Sequence, residues 1–85
     1  MADTIRVGAG CLNQLPLDWS GNRRRILASI AQAREAHVSV LCLPELAITG
    51  YGCEDQFLSH EVAERSWESL VEIAEHTKDM VVAVG

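Results

Sequence analysis

Ser39-Val40-Leu41-Cys42-Leu43-Pro44 is the stretch on which the fold turns. It is short, almost wholly apolar and stopped by a proline, the form expected of a parallel strand covered on both faces. Upstream, Ile26, Leu27, Ile30, Ala31 and Ala33 recur at three-to-four spacing, with Arg23, Arg24, Gln32 and Glu35 on the other side. That spacing predicts an amphipathic helix from Asn22 to about Ala36. Before it, Leu15 to Gly21 supplies turn chemistry, with Ser20 or Asn22 available as a cap. Further back, Ile5 to Leu12 reads as a strand in which Gly8 and Gly10 leave one side thin enough for close packing.

Downstream, residues 44–58 hold no period. The segment reads as an unstructured connection, and connections of that length are usually functional or mobile. A second helix is expected from about His60, capped by Ser59, to His76. Ala63, Trp67, Leu70 and Ala74 form its apolar stripe, widened by Val62, Val71 and Ile73. Glu61, Glu64, Glu68, Glu72 and Glu75 fall on the opposite side as a solvated face. Met80 to Val84 repeats the buried-strand form. The order β-α-β-loop-α-β predicts an α/β layered fold with right-handed crossovers. The last strand has no helix after it, so the sequence reads as the front piece of something longer.

The 85 residues are 48% apolar and 22% charged with two prolines, a globular composition with room for one small domain. Seven Lys and Arg against twelve Asp and Glu give a net charge of −5, which argues against nucleic acid or an anionic membrane as partner. No apolar run approaches the roughly 20 residues of a membrane span and no signal-type segment opens the chain, so the expected location is the cytoplasm. Cys11, Cys42 and Cys53 form no C-x-x-C pair and read as free thiols, Cys11 and Cys42 as buried small hydrophobes. Only Cys53 and His60 have a spacing near that of zinc ligands, and no metal site is expected.

In open α/β sheets reactive groups gather beyond the carboxyl ends of the strands, and Glu45 follows the proline that closes the second strand. Flanked by Leu46 and Ile48, its carboxylate is expected to be partly desolvated, as suits a general base; on position alone such a residue is more often a surface carboxylate of a loop. Gly50 and Gly52 let the chain turn sharply around Tyr51, whose phenol is either presented to a ligand or packed. Gly8-Ala9-Gly10 is no phosphate loop, since it lies within a strand pattern and lacks the Gly-Lys-Ser/Thr ending. Arg23-Arg24-Arg25 reads as a solvated stretch, or else as a match for an acidic partner. Trp19 and Trp67 read as core or interface.

Asn13-Gln14, Leu17-Asp18-Trp19, Gly21-Asn22 leading into Arg25-Ile26-Leu27, Leu43-Pro44-Glu45-Leu46 and Thr49-Gly50-Tyr51-Gly52-Cys53-Glu54-Asp55 resemble the start of a nitrilase-family, or carbon-nitrogen hydrolase, domain. Within that superfamily they are most similar to the amide-hydrolysing domains of glutamine-dependent NAD synthetases. The resemblance covers nearly the whole chain and implies the N-terminal portion of an α/β/β/α sandwich with a Glu-Lys-Cys site. Glu45 matches the family's catalytic general base, and Tyr51 a tyrosine near the glutamine pocket. The lysine and the nucleophilic cysteine of the family come later than residue 85, and none of Cys11, Cys42 and Cys53 matches the nucleophile. Glutamine is the implied substrate here. ATP, magnesium and deamido-NAD are implied for a synthetase domain elsewhere, with no cofactor in this segment and a homo-oligomer at full length. The 85 residues alone are then expected to be inactive. Another nitrilase-family amidase or carbamoylase, or a small non-enzymatic α/β binding module, are the alternatives.

Overall fold

In a computed structural model, which describes residues 4–85, the chain forms a three-stranded parallel sheet with two helices. The strands are β1 (Val7–Ala9), β2 (Val40–Cys42) and β3 (Val81–Ala83), in the order β1-β2-β3, so the stretch read first is the central strand. Val7, Gly8 and Ala9 align with Val40, Leu41 and Cys42, which align in turn with Val81, Val82 and Ala83. The strands are shorter than the sequence predicts, and Ile5, outside β1, is exposed.

Helix α1 (Trp19–Glu35) begins three residues earlier than its periodicity predicts. Its cap is Asp18, whose Oδ1 accepts from Gly21 N at 3.2 Å, so Ser20 and Asn22 lie within the first turn. Ile26, Ile30 and Ala33 are buried as expected, whereas Ala31 is exposed. Helix α2 (His60–Ala74) follows Ser59 at the cap position, but the Ser59 hydroxyl makes no capping bond. Its inward face is Val62, Ser69 and Ile73, and Trp67 is 66% exposed. The apolar stripe is wide enough to be seated in two ways about 100° apart, one residue's rotation. Ile73, which packs with Ile26, Ile30, Leu41 and Leu43, selects the seating with small Ser69 turned inward. Arg23 Nε meets Glu72 Oε2 at 2.7 Å across the two helices. Arg65 lies 5.2 Å above the ring of Trp19, which is half-buried against the core.

The core lies on one side of the sheet. The rung Gly8, Leu41, Val82 faces the helices, while Val7 and Val81, next to it, are 65% and 64% exposed. The expectation that β2 is covered on both faces is therefore wrong for these residues, because both helices contribute to one core cluster. Cys42, on the uncovered face, is exposed, as is Cys11; Cys53 is the buried cysteine. Gly10 meets the expectation of close packing, since a Cβ there would stand 2.7 Å from Leu43 Cδ2. At the strands' amino ends Arg6 donates to the Ala36 carbonyl, and Arg34 to those of His76 and Lys78, which satisfies carbonyls left free past the helix ends.

Candidate functional site

Beyond the carboxyl end of β2 the chain does not wander as the missing period suggests. Residues 45–49 form a compact turn and Glu54–Leu58 a short 3-10 helix. Leu43 N donates to Ala83 O, and Ile48 N to Gly85 O at 2.9 Å, so the continuation of β3 is stitched to the turn that carries Glu45. Leu46 takes a left-handed φ of 53°, which closes the turn, and Ala47, Ile48 and Thr49 are buried. The turn sends Ile48 into the core, away from Glu45, so the carboxylate is exposed rather than desolvated by its neighbours.

Glu45 and Tyr51 are brought together. Tyr51 Oη donates to Glu45 Oε2 at 3.3 Å, and the residue is 55% exposed, so the phenol is presented and not packed away. Local desolvation, the negative charge of Glu45 and this hydrogen bond to it raise the phenol above the ordinary tyrosine pKa. Gly50 and Gly52, each at φ 80°, make the bend between the two residues. Cys53 is buried behind them with Sγ 3.3 Å from the Gly50 carbonyl, while His60 is exposed and pairs with Glu64 at 3.1 Å. Cys53 and His60 therefore do not form a ligand pair. Among the described residues no three His, Cys, Asp or Glu side chains are grouped to hold a metal ion. Lys78 precedes β3 and so belongs to the end of the sheet away from Glu45.

The residues that hold this turn carry no signal in the hydrophobic period of the sequence. Asn22 is completely buried, and all four hydrogen-bonding positions of its amide are used. Nδ2 donates to the carbonyls of Leu15 at 2.8 Å and Ile48 at 3.1 Å; Oδ1 accepts from Leu15 N at 3.0 Å and Arg25 Nη2 at 2.8 Å. Gln14 Nε2 donates to Ala47 O at 2.7 Å and Asn22 O at 3.0 Å, and its Oε1 accepts from Arg25 Nε at 2.7 Å. Leu17 N adds a bond to Thr49 O at 2.7 Å. Arg25 Nη2 also meets Asp18 Oδ2 at 3.1 Å, so the three arginines are not one solvated stretch. Arg25 belongs to the clamp, Arg23 bridges to α2 and only Arg24 is exposed. The signal available in the sequence was Asn22 on the buried side of an amphipathic helix, next to Ile26.

A groove of about 480 Å³ runs between β1 and α1, lined in part by Gly10, Asn13, Arg25, Ser29 and Gln32; neither Glu45 nor Tyr51 borders it.

The family profile described as carbon-nitrogen hydrolase matches residues 6–85. The glutamine-dependent NAD(+) synthetase of Saccharomyces cerevisiae is 41% identical over the whole of this chain, and that of Arabidopsis thaliana 39% identical over 95% of it. The crystal structure of a glutamine-dependent NAD(+) synthetase from Cytophaga hutchinsonii superposes with a TM-score of 0.92 over 94% of the chain at 51% identity. The chain spans 12% and 11% of the two relatives and 14% of the crystallised chain.

Proposed function

The chain belongs to the carbon-nitrogen hydrolase family, and from that membership we propose that it is the N-terminal part of the glutamine-hydrolysing domain of an NAD synthetase. The observation that carries the reading is Glu45, held at the carboxyl end of the central parallel strand with the phenol of Tyr51 against its carboxylate. Glu45 acts as the general base. It accepts the proton of a cysteine thiol outside these residues, and the thiolate attacks the side-chain amide carbon of glutamine. The C–N bond breaks with release of ammonia and leaves a thioester, which water cleaves to glutamate and free thiol. Tyr51 binds the substrate beside the base.

The nucleophile and the oxyanion-holding lysine are supplied from elsewhere. Cys53 is buried behind the turn, Cys11 and Cys42 do not match the family's nucleophile, and Lys78 belongs to the wrong end of the sheet. By itself this segment is inactive, because a base without its nucleophile makes none of the bonds of the transition state. Ammonia passes to a synthetase domain that uses ATP to amidate deamido-NAD. The residues here do not fit a magnesium-nucleotide site, for Gly8 and Ala9 lie in β1 with Gly10 just past its end, and no set of metal ligands is grouped among the described residues. The apolar face with Val7 and Val81 is the surface on which the second sheet of an α/β/β/α sandwich packs. A homo-oligomer in the cytoplasm completes the reading, and the free thiols of Cys11 and Cys42 suit that reducing compartment.

Glu45→Gln in the full-length protein tests it. Glutamine-dependent synthesis is expected to be lost while synthesis from added ammonia persists; undiminished use of glutamine would overturn the assignment.

A further inference from the structure

Three successive carbonyls of the Glu45 turn, those of Ala47, Ile48 and Thr49, are gripped by Gln14, Asn22 and Leu17. Two of the three donors are side-chain amides, and Arg25 orients both. Its Nε on Gln14 Oε1 and its Nη2 on Asn22 Oδ1 leave each NH2 group facing the turn. A fully satisfied network of this kind, part-buried and centred on the buried amide of Asn22, fixes a single geometry, whereas apolar packing of equal volume tolerates small slips. Glu45 itself is exposed, and its one side-chain hydrogen bond among the described residues is with Tyr51. The placement of its carboxylate therefore rests on Tyr51 and on its backbone, and the clamp holds the three residues that close the turn behind that backbone.

We propose that Asn22 and Gln14, oriented by Arg25, are positioning residues for Glu45: without touching substrate, they hold the base where it can reach the thiol proton. The proposal rests on the reading of Glu45 as general base. It assigns a role in the reaction to two amides and a guanidinium that make no hydrogen bond to the carboxylate.

Asn22→Asp in the full-length protein preserves the shape of the side chain but replaces the NH2 that binds Leu15 O and Ile48 O with an acceptor. With glutamine, kcat is expected to fall about 10²-fold, the scale of a misplacement near 1 Å, with KM little changed. Ammonia-dependent synthesis is expected to continue as in the parent and serves as the internal measure of folding. Gln14→Glu, at a half-buried site, is the second variant and is judged by the same split should Asn22→Asp not fold. If Glu45→Gln still uses glutamine, the functional reading fails and this one with it. If Glu45→Gln is dead with glutamine but both clamp variants keep the parent kcat, the positioning role alone is overturned. Parallel loss of both activities and of thermal midpoint in both variants also overturns it, leaving the clamp a purely structural element.

Discussion

Tyr51 Oη and Glu45 Oε2 stand 3.3 Å apart, with the phenol as donor, so the charge state of the phenol depends on the carboxylate. Tyr51 is the one tyrosine of the chain, and the appearance of its phenolate in the near ultraviolet reports on it alone. The titration is expected above the ordinary tyrosine range, and Glu45→Gln is expected to lower it by removing the neighbouring negative charge. Because the raised pKa means that the folded chain keeps a proton the unfolded chain would release, stability is full below the unfolded tyrosine value. It declines as pH rises through that value toward the folded one. A phenol that titrates lower in the parent than in Glu45→Gln would contradict the pairing. In the full-length protein, Tyr51→Phe is expected to raise KM for glutamine and to leave ammonia-dependent synthesis intact.

Gly50 takes φ 80° with its Cα against the Leu15–Pro16 peptide; a Cβ there would stand 2.6 Å from the Leu15 carbonyl carbon and closer still to its oxygen. Both contacts are backbone, so neither can swing aside. Gly50→Ala is expected to cost at least about 1–3 kcal/mol from the left-handed conformation alone. Gly52 has the same φ but only Pro16 Cγ at 3.7 Å, so Gly52→Ala should cost less. Denaturant midpoints of the two variants give the order.

The seating of α2 makes a paired prediction. Ile73→Ala removes a side chain that is 1% exposed within the core cluster and is expected to cost about 2–5 kcal/mol. Trp67→Ala, at a mostly exposed position, is expected to change stability by no more than about 0.5 kcal/mol. The reverse order in thermal unfolding would mean that the helix sits on its Ala63–Trp67–Ala74 stripe instead.

Val81 tests the uncovered sheet face. In the 85-residue chain Val81→Lys puts a charge on a surface already in water, and the melting midpoint should hold while solubility rises. In the full-length protein, where a second sheet is proposed to pack on that face, the same charge is buried without a partner and should prevent folding or lower the midpoint sharply. Equal tolerance in both contexts would argue against the sandwich.

The order of elements was legible because Val40 to Leu43 and Met80 to Val84 are brief apolar runs while residues 22–35 and 60–74 carry helical spacing. Glu45 stood out for the same reason, being the first carboxylate past a strand end. The rest was hidden for separate physical reasons. Hydropathy cannot say which faces of β2 are covered, since Val7, Val40 and Val81 look alike whether they meet a neighbour or water. It placed the seam of α2 one residue off because Val62, Ala63, Trp67, Leu70, Val71 and Ile73 together span more than one face. It also has no measure for an amide such as Asn22, polar in composition yet buried by four hydrogen bonds that reach residues 15, 25 and 48.

The grip on the Glu45 turn is drawn from residues 14–25 and 46–50, with β1 and β2 pairing alongside. As a nascent chain leaves the ribosome amino end first, these parts are all present before α2 and β3 have been made. The bonds from Leu43 N to Ala83 O and from Ile48 N to Gly85 O wait for the third strand. The seat of the base is thus a local structure that early synthesis can assemble, onto which later segments are added.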